Sequence, residues 1–116
     1  MGGEGVPVSD RELLQMAAKA AGMTLGAWRE AFGAFMYRDV APGRGYWNPL
    51  TDDGDALRLA VALVMSVEIS EFEASTYAYA GPIERVYAME LWRQDRAAAT
   101  RRAIVRAAAE IGKGMP

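Results

Sequence analysis

Residues 46–57 read YWNPLTDDGDAL and join the end of a strand, a proline turn and the start of a helix. Proline fixes the backbone angle φ near a value that suits a turn, so Pro49 marks the change of direction. Thr51 or Asp52 then stands where an N-cap accepts backbone hydrogen bonds, and further aspartates suit the positive end of a helix dipole. This stretch therefore predicts a strand that turns directly into a capped helix.

Three helices are predicted, near residues 10–21, 53–64 and 96–111. The first begins with a capping box formed by Ser9 and Glu12. Each of the three segments carries apolar residues at helical spacing, which predicts one buried stripe per helix. The expected stripes are Leu13, Met16, Ala17 and Ala20; Leu57, Ala60, Val61 and Val64, widened by Leu59 and Leu63; and Ala97, Thr100, Ile104, Ala108 and Ile111, with Val105 beside them.

Residues 27–38 are ambiguous, because their aromatic residues fall at helical spacing although Gly33 lies among them. Glycine inside a helix costs about 1 kcal/mol relative to alanine, so a strand is favoured. A loop and a short strand at residues 45–47 follow.

From Ser66 onward the pattern alternates with a period of two, which is typical of strands. A turn at Gly81 is followed by a returning strand over residues 86–92. The alternation predicts that one set of side chains faces the core and another faces outward. The inward set is Phe72, Ala74, Thr76 and Ala78, and the outward set includes Glu73, Tyr77 and Tyr79.

These elements predict an α+β fold, with about three helices packed on a mostly antiparallel sheet of four or more strands, as a sandwich. A length of 116 residues is typical of a single domain, here residues 1–116. Residues 1–7 are expected to form a flexible N-terminal tail.

The composition excludes several kinds of chemistry. The chain contains no cysteine and no histidine, which removes Ser-His and Cys-His catalysis and most zinc sites. A net charge of −2 lacks the basic excess of a nucleic-acid-binding protein, so no direct nucleic-acid contact is expected. The longest apolar run, residues 59–65, is far shorter than a membrane span, so no membrane partner is expected.

The acidic cluster of Asp52, Asp53 and Asp55 is interpreted as helix capping rather than as a metal site. A calcium-binding EF-hand loop would need a glutamate at its twelfth position, where Leu63 stands. No metal and no cofactor are therefore expected.

The aromatic and basic residues have structural interpretations as well. Trp47 is expected to anchor the core, and Trp28 and Trp92 receive the same interpretation. Arg101, Arg102 and Arg106 on the last helix are interpreted as a solvated face.

The best candidate for a binding surface is the predicted hairpin that follows residue 70. Tyrosines, carboxylates and an arginine on one sheet face have the composition of a protein interface, although an ordinary solvated face has the same residues. The candidate contact residues are Glu71, Glu73, Tyr77, Tyr79, Arg85 and Tyr87.

The chain resembles small phage and prophage proteins of proteobacteria, of the phage ABA sandwich type. The resemblance rests on residues 10–14, 17–22, 47–63 and 99–112, and it is absent from residues 68–94. It implies an α+β sandwich and supplies no catalytic residues. It also implies a cytoplasmic location in the bacterial host.

The leading hypothesis is a non-enzymatic phage accessory protein that binds and neutralises a host protein, part of an antiviral defence system, as anti-CRISPR inhibitors do. One alternative is a homo-oligomeric sponge that holds a nucleotide signal through Arg44, Tyr46 or Arg85. A second alternative is an enzyme that uses carboxylates alone, Glu71 with Glu73 or Glu90.

Overall fold

The computed structural model describes residues 8–37, 45–81 and 86–116, and the expected tail at residues 1–7 lies outside them. The described residues form three helices and six strands. In chain order these are α1 (Asp10–Ala20), β1 (Leu25–Arg29), β2 (Ala34–Tyr37), β3 (Tyr46–Trp47), α2 (Asp53–Ala62), β4 (Ser66–Ser70), β5 (Ser75–Ala80), β6 (Val86–Leu91) and α3 (Arg96–Lys113).

The strands form two antiparallel sheets of three strands each, with the orders β1-β2-β3 and β4-β5-β6. We call them sheet A and sheet B. The α+β prediction is therefore confirmed. The ambiguous segment at residues 27–38 is a strand region rather than a helix, but it holds two strands, because the chain reverses between Arg29 and Ala34 through a turn in which Gly33 adopts a φ of +57°.

Local hydrogen bonds define the ends of α1 as predicted. The backbone N–H of Glu12 donates to the Ser9 hydroxyl and the Glu12 carboxylate accepts from the Ser9 N–H, which completes the capping box. At the other end the N–H of Met23 donates to the carbonyl of Ala18, and Gly22 takes the left-handed conformation that this C-cap requires.

The C-terminus of α2 has the same C-cap hydrogen bonds as that of α1, but a valine stands at the position of Gly22. The N–H of Met65 donates to the carbonyl of Ala60, and the N–H of Val64 donates to that of Val61. Val64 therefore occupies the position that favours glycine, at a φ of +53°, and its side chain is 85% exposed. A β-branched residue is strained in this conformation.

Val64→Gly should therefore stabilise the fold by about 1 kcal/mol, because it relieves that strain and sacrifices almost no buried apolar surface. Urea-induced unfolding checks this, with Val64→Ala as the control that keeps the Cβ atom and should gain less. A Val64→Gly variant that unfolds at a lower urea concentration than the wild type would contradict it.

Helix α3 lies at the centre of the fold, in contact with α1, α2 and the strands of sheet B. Small side chains allow its neighbours to approach it on several sides. Its buried residues are Ala99, Ala103, Ile104, Val105, Ala107, Ala108, Ala109 and Gly112. Ile104 and Ala108 confirm part of the predicted stripe, whereas Ala97 is exposed.

The predicted stripe of α2 is wrong in most of its positions. Leu57, Val61 and Val64 are 64%, 68% and 85% exposed. Ala60 of the stripe and Leu59 beside it are buried as expected, together with Asp55 and Ala56. Apolar residues occur nearly all around this helix, so their spacing could not select the face that meets α3.

The predicted inward set of the hairpin is also only partly correct. Thr76 and Ala78 are fully buried, as expected, but Phe72 is 99% exposed. Residues 71–74 form the turn between β4 and β5, and Ala74 within it has a φ of +51°. The alternation of a strand does not extend through a turn, so Phe72 and Ala74 do not face the core.

Trp47 is 2% exposed and belongs to a single hydrophobic core that also holds Phe35 of sheet A, Leu14 of α1 and Ala78 of sheet B. Trp28 and Trp92 are only partly buried, so the core interpretation holds fully for Trp47 alone among the tryptophans. Among the helices in the described ranges, none combines the length and the apolar character needed to cross a membrane.

Candidate functional site

One face of sheet B carries a ladder of aromatic and apolar side chains. Register pairs join Tyr79 to Tyr87 and Tyr77 to Met89, and a further pair sets Leu91 opposite Ser75. We call these five larger residues, Tyr77, Tyr79, Tyr87, Met89 and Leu91, the outer face. Cross-strand neighbours of this kind stabilise a sheet by packing against one another.

The opposite face of the same sheet packs on α3. Thr76 and Thr100 share a hydrogen bond of 2.9 Å between their hydroxyls, and Ala78 and Ala88 are buried in the core. Side chains alternate between the faces of a strand, so burial of this set turns the outer face away from the helices. Tyr87 is 63% exposed and Leu91 is 50% exposed.

Tyr77 is held by a hydrogen bond within its own hairpin. Its hydroxyl donates to Oε1 of Glu73 at 2.7 Å. This bond raises the pKa of Tyr77. Glu73 in the turn therefore holds the side chain of Tyr77 in place. The hydroxyls of Tyr79 and Tyr87 form no such hydrogen bond to a described residue.

Of the carboxylates that the enzyme hypothesis would combine, Glu71 and Glu73 lie in the same turn, and Glu90 lies on β6. Glu73 bonds to Tyr77 on the outer face, while Glu90 lies on the inner face and accepts from Arg106 at 2.6 Å. Glu71 is exposed in the turn. Arg85, predicted as a contact residue beside them, lies outside the described residues.

The arginines of α3 join elements instead of forming a freely solvated face, which corrects that interpretation. Arg101 donates to Asp53 at 2.7 Å and to the carbonyl of Leu50 at 2.8 Å. Arg102 pairs with Asp10 of α1 at 3.3 Å. Each of these guanidinium groups therefore already has an internal partner.

An apolar groove between α2, β4 and α3 was not predicted. It encloses about 570 Å³, and its lining includes Leu57, Ala60, Val67, Ile69, Thr100 and Ile104. The sequence signal was the excess of apolar residues around α2, which exceeds what one helix can bury in a small domain. A groove of this size and character is suited to apolar side chains of a partner.

Asp55 forms the centre of a buried polar network. It is 3% exposed and accepts from the hydroxyl of Tyr37 at 2.8 Å, from the N–H of Asn48 at 2.9 Å and from Arg58 at 2.7 Å. Its role thus exceeds the predicted capping, which Asp52 performs by accepting from the N–H of Asp55. With three donors on its two oxygens, Asp55 is a structural acceptor that holds sheet A against α2.

Burial and the bond to Asp55 raise the pKa of Tyr37 from 10.0 to about 12. The protonated phenol is therefore favoured by folding, so its stabilising contribution is complete below about pH 10 and is lost as the pH rises through about 12.

Tyr37→Phe should be less stable than the wild type at pH 8, and the difference should shrink between pH 10 and 12. Urea unfolding of both proteins at several pH values measures this, and a constant difference in stability would contradict it.

Of the three residues of the nucleotide-sponge hypothesis, the structure describes Tyr46, which lies beside that network. Tyr46 is 37% exposed and stacks on Phe32 with ring centroids 4.6 Å apart. Both rings border a pocket of about 460 Å³ that also contacts Asp52, Asp55 and Arg58. Arg44 lies outside the described residues. The two aspartates make the inner end of this pocket unfavourable for a phosphate.

Within the parts of the chain that the structure describes, no group of three or more acidic side chains is placed to hold a metal ion. No protein-family model matches the chain, and neither a curated protein nor a solved structure matches it significantly.

Proposed function

We propose that the protein is a binding protein without a reaction of its own, which acts by covering a surface of another protein with its outer face. The observation that supports this is the ladder Tyr79–Tyr87 and Tyr77–Met89 on a sheet whose other face is already occupied by α3. Within this ladder Tyr87 and Met89 are exposed, and Tyr77 and Tyr79 are half-buried.

The physical properties of the ladder favour a protein partner. Tyrosine supplies a large apolar ring and a hydrogen-bonding hydroxyl, and it is enriched among the residues that dominate binding energy. The strands fix the ring positions before binding, and Glu73 fixes that of Tyr77. Little side-chain entropy is therefore lost when a partner docks.

We further propose that this partner is a host protein, a component of an antiviral defence system. This class of partner follows from the resemblance to small phage and prophage proteins. The role assigned to the protein is to neutralise that component by occupying it, in the bacterial cytoplasm.

The test begins with a tagged protein that captures its partner from a proteobacterial lysate, followed by affinity measurements on the purified pair. A double variant Tyr79→Ala and Tyr87→Ala should keep a melting temperature close to that of the wild type, because Tyr87 is largely exposed and the half-buried Tyr79 is not part of the hydrophobic core. It should lose about 2 kcal/mol or more of binding energy, roughly a thirtyfold rise in Kd.

The matched control removes two other exposed aromatic side chains, Phe32→Ala with Tyr46→Ala. This control should bind the partner normally. If the control variant loses the partner while the tyrosine variant still binds it, the functional surface lies on sheet A. A copurified ligand that absorbs ultraviolet light would then support the nucleotide sponge, for which the stacked pair Phe32–Tyr46 is the favouring observation.

A further inference from the structure

Strand β4 has one free edge in the described part of the chain. Sheet B runs β4-β5-β6, so β4 pairs with β5 alone among the described strands. The backbone N–H and C=O groups of alternate residues in an antiparallel edge strand point away from the sheet. No described residue outside β5 hydrogen-bonds to the backbone of β4.

The opposite edge of sheet B, formed by β6, has a side chain bound to its backbone. There the guanidinium of Arg106 donates to the backbone carbonyl of Met89 at 3.1 Å, while its ion pair with Glu90 holds it in place. A side chain thus protects the β6 edge.

The usual devices that prevent pairing with another chain are proline, a charged side chain such as lysine, a bulge or an inward charge. Of these, strand β4 carries one, the outward charge of Glu68. The sequence Ser66–Ser70 contains no proline and no lysine, and its register against Ser75–Tyr79 is regular at all five positions. The edge is therefore competent to accept another strand.

The apolar groove lies directly beside this edge. Val67 and Ile69 are the cross-strand partners of the buried Ala78 and Thr76, so they face the side of the sheet on which α3 lies. Yet Ile69 is 58% exposed, and Leu57 across the groove is 64% exposed. A strand added to β4 would direct alternate side chains into this groove, between Ile69 and α2.

Charge distinguishes between the possible occupants. Glu68 points to the other side of the sheet from Val67, and no described cation lies within ion-pair distance of it. If a second copy of the chain paired antiparallel about Glu68, Val67 would meet Ile69 favourably, but Glu68 would stand opposite the same residue of the copy. Like charges directly opposite destabilise a sheet, and a shift of one residue would turn the apolar side chains to the wrong face. A shift of two residues would place Glu68 opposite Ser66 or Ser70 and leave its charge without a cation.

We propose that β4 binds an extended segment of a partner protein, in which apolar residues that enter the groove flank a lysine or arginine opposite Glu68. The backbone of β4 would supply the hydrogen bonds, the groove would select the apolar residues, and Glu68 would select the basic one. Glu68 lies on the same side of sheet B as the outer face, opposite Tyr77. The backbone edge of β4 and the groove include none of the five residues of the outer face, so this proposal does not depend on the role proposed for that face.

The test uses synthetic peptides that alternate valine with lysine, or valine with glutamate, titrated into the isotopically labelled protein and followed by amide NMR. The lysine peptide should shift the amides of Ser66–Ser70 and of residues near Leu57, and it should bind roughly threefold to tenfold more tightly than the glutamate peptide. Glu68→Lys should reverse this preference. The same lysine peptide with N-methylated valines should bind at least tenfold more weakly, because its backbone cannot pair.

Three outcomes would overturn the proposal: no shifts in β4, equal binding of the N-methylated peptide, or a wild-type dimer in sedimentation that Ile69→Arg dissociates. The last would assign the edge to a second copy of the chain. The Tyr79→Ala and Tyr87→Ala variant should bind the lysine peptide like the wild type. Failure of the outer-face proposal and failure of the β4 proposal are therefore distinguishable.

Discussion

Replacing Gly112 with alanine should destabilise the protein by about 3 kcal/mol, although alanine is normally the better residue within a helix. A Cβ atom on Gly112 would overlap the carbonyl oxygen of Met16 and lie 2.8 Å from its carbonyl carbon. Both atoms belong to the backbone of α1, so no side-chain rotation can relieve the overlap. The contact between α1 and α3 must open instead.

Opening that contact is costly because the two helices meet through small, fully buried residues. Ala17 on α1 and Ala107 and Ala108 on α3 have no measurable exposure. A shift large enough to admit one methyl group therefore leaves gaps along the whole crossing, and interiors tolerate such gaps poorly. The loss should exceed the gain of about 1 kcal/mol in helix propensity.

Gly114→Ala is the matched control, two residues further along the chain. A Cβ atom there would meet only carbonyl oxygens, the nearest being that of Ile111 at 3.7 Å. Its φ of −84° is also acceptable for alanine. Gly114→Ala should thus melt within a few degrees of the wild type. A Gly112→Ala variant with the same melting temperature as Gly114→Ala would show that the end of α3 can shift without loss of stability.

The features that could be predicted from the sequence are those decided within a few residues. Ser9 with Glu12, and Asp95 with the N–H of Ala98, form caps whose partners lie three residues apart. The turns were predicted from proline and glycine, whose backbone preferences are also local. Local geometry is enough to encode such bonds.

The features that could not be predicted depend on distant partners. Leu57 and Leu59 are alike in chemistry, yet Leu59 is buried in the core, while Leu57 lines the open groove beside α3. Asp55 looks like one more capping aspartate until Tyr37, eighteen positions earlier in the chain, donates to it. Likewise, the free edge of β4 becomes visible only when the strand order is known.

The same reasoning applies to the tyrosines of the candidate surface. Alternation correctly turned Tyr77 and Tyr79 outward, because β5 is regular from Ser75 onward. It gave no indication that the hydroxyl of Tyr77 would be engaged by Glu73. We therefore place Tyr79 and Tyr87, which need no such internal bond, at the centre of the proposed contact.

Trp47→Ala should cost about 3–5 kcal/mol, a large part of the stability of a domain of this size. Trp47 is 2% exposed, and it pairs across sheet A with Phe35, whose ring meets that of Trp28 edge-on at 4.8 Å. Truncation would leave a cavity among these rings and the helices. It would also loosen Asn48, the next residue, whose N–H donates to Asp55.

Thermal unfolding measures this loss, with Phe32→Ala as the control, since Phe32 is an aromatic residue of the same sheet region that is 62% exposed. The control should shift stability by about 0.5 kcal/mol or less, as is usual for surface substitutions. Partner binding should be compared at a temperature where both variants remain folded, and there Trp47→Ala should bind with nearly the affinity of the wild type. A Trp47→Ala variant that melts like the wild type but loses its partner would identify Trp47 as a contact residue, and the binding surface would then belong on sheet A.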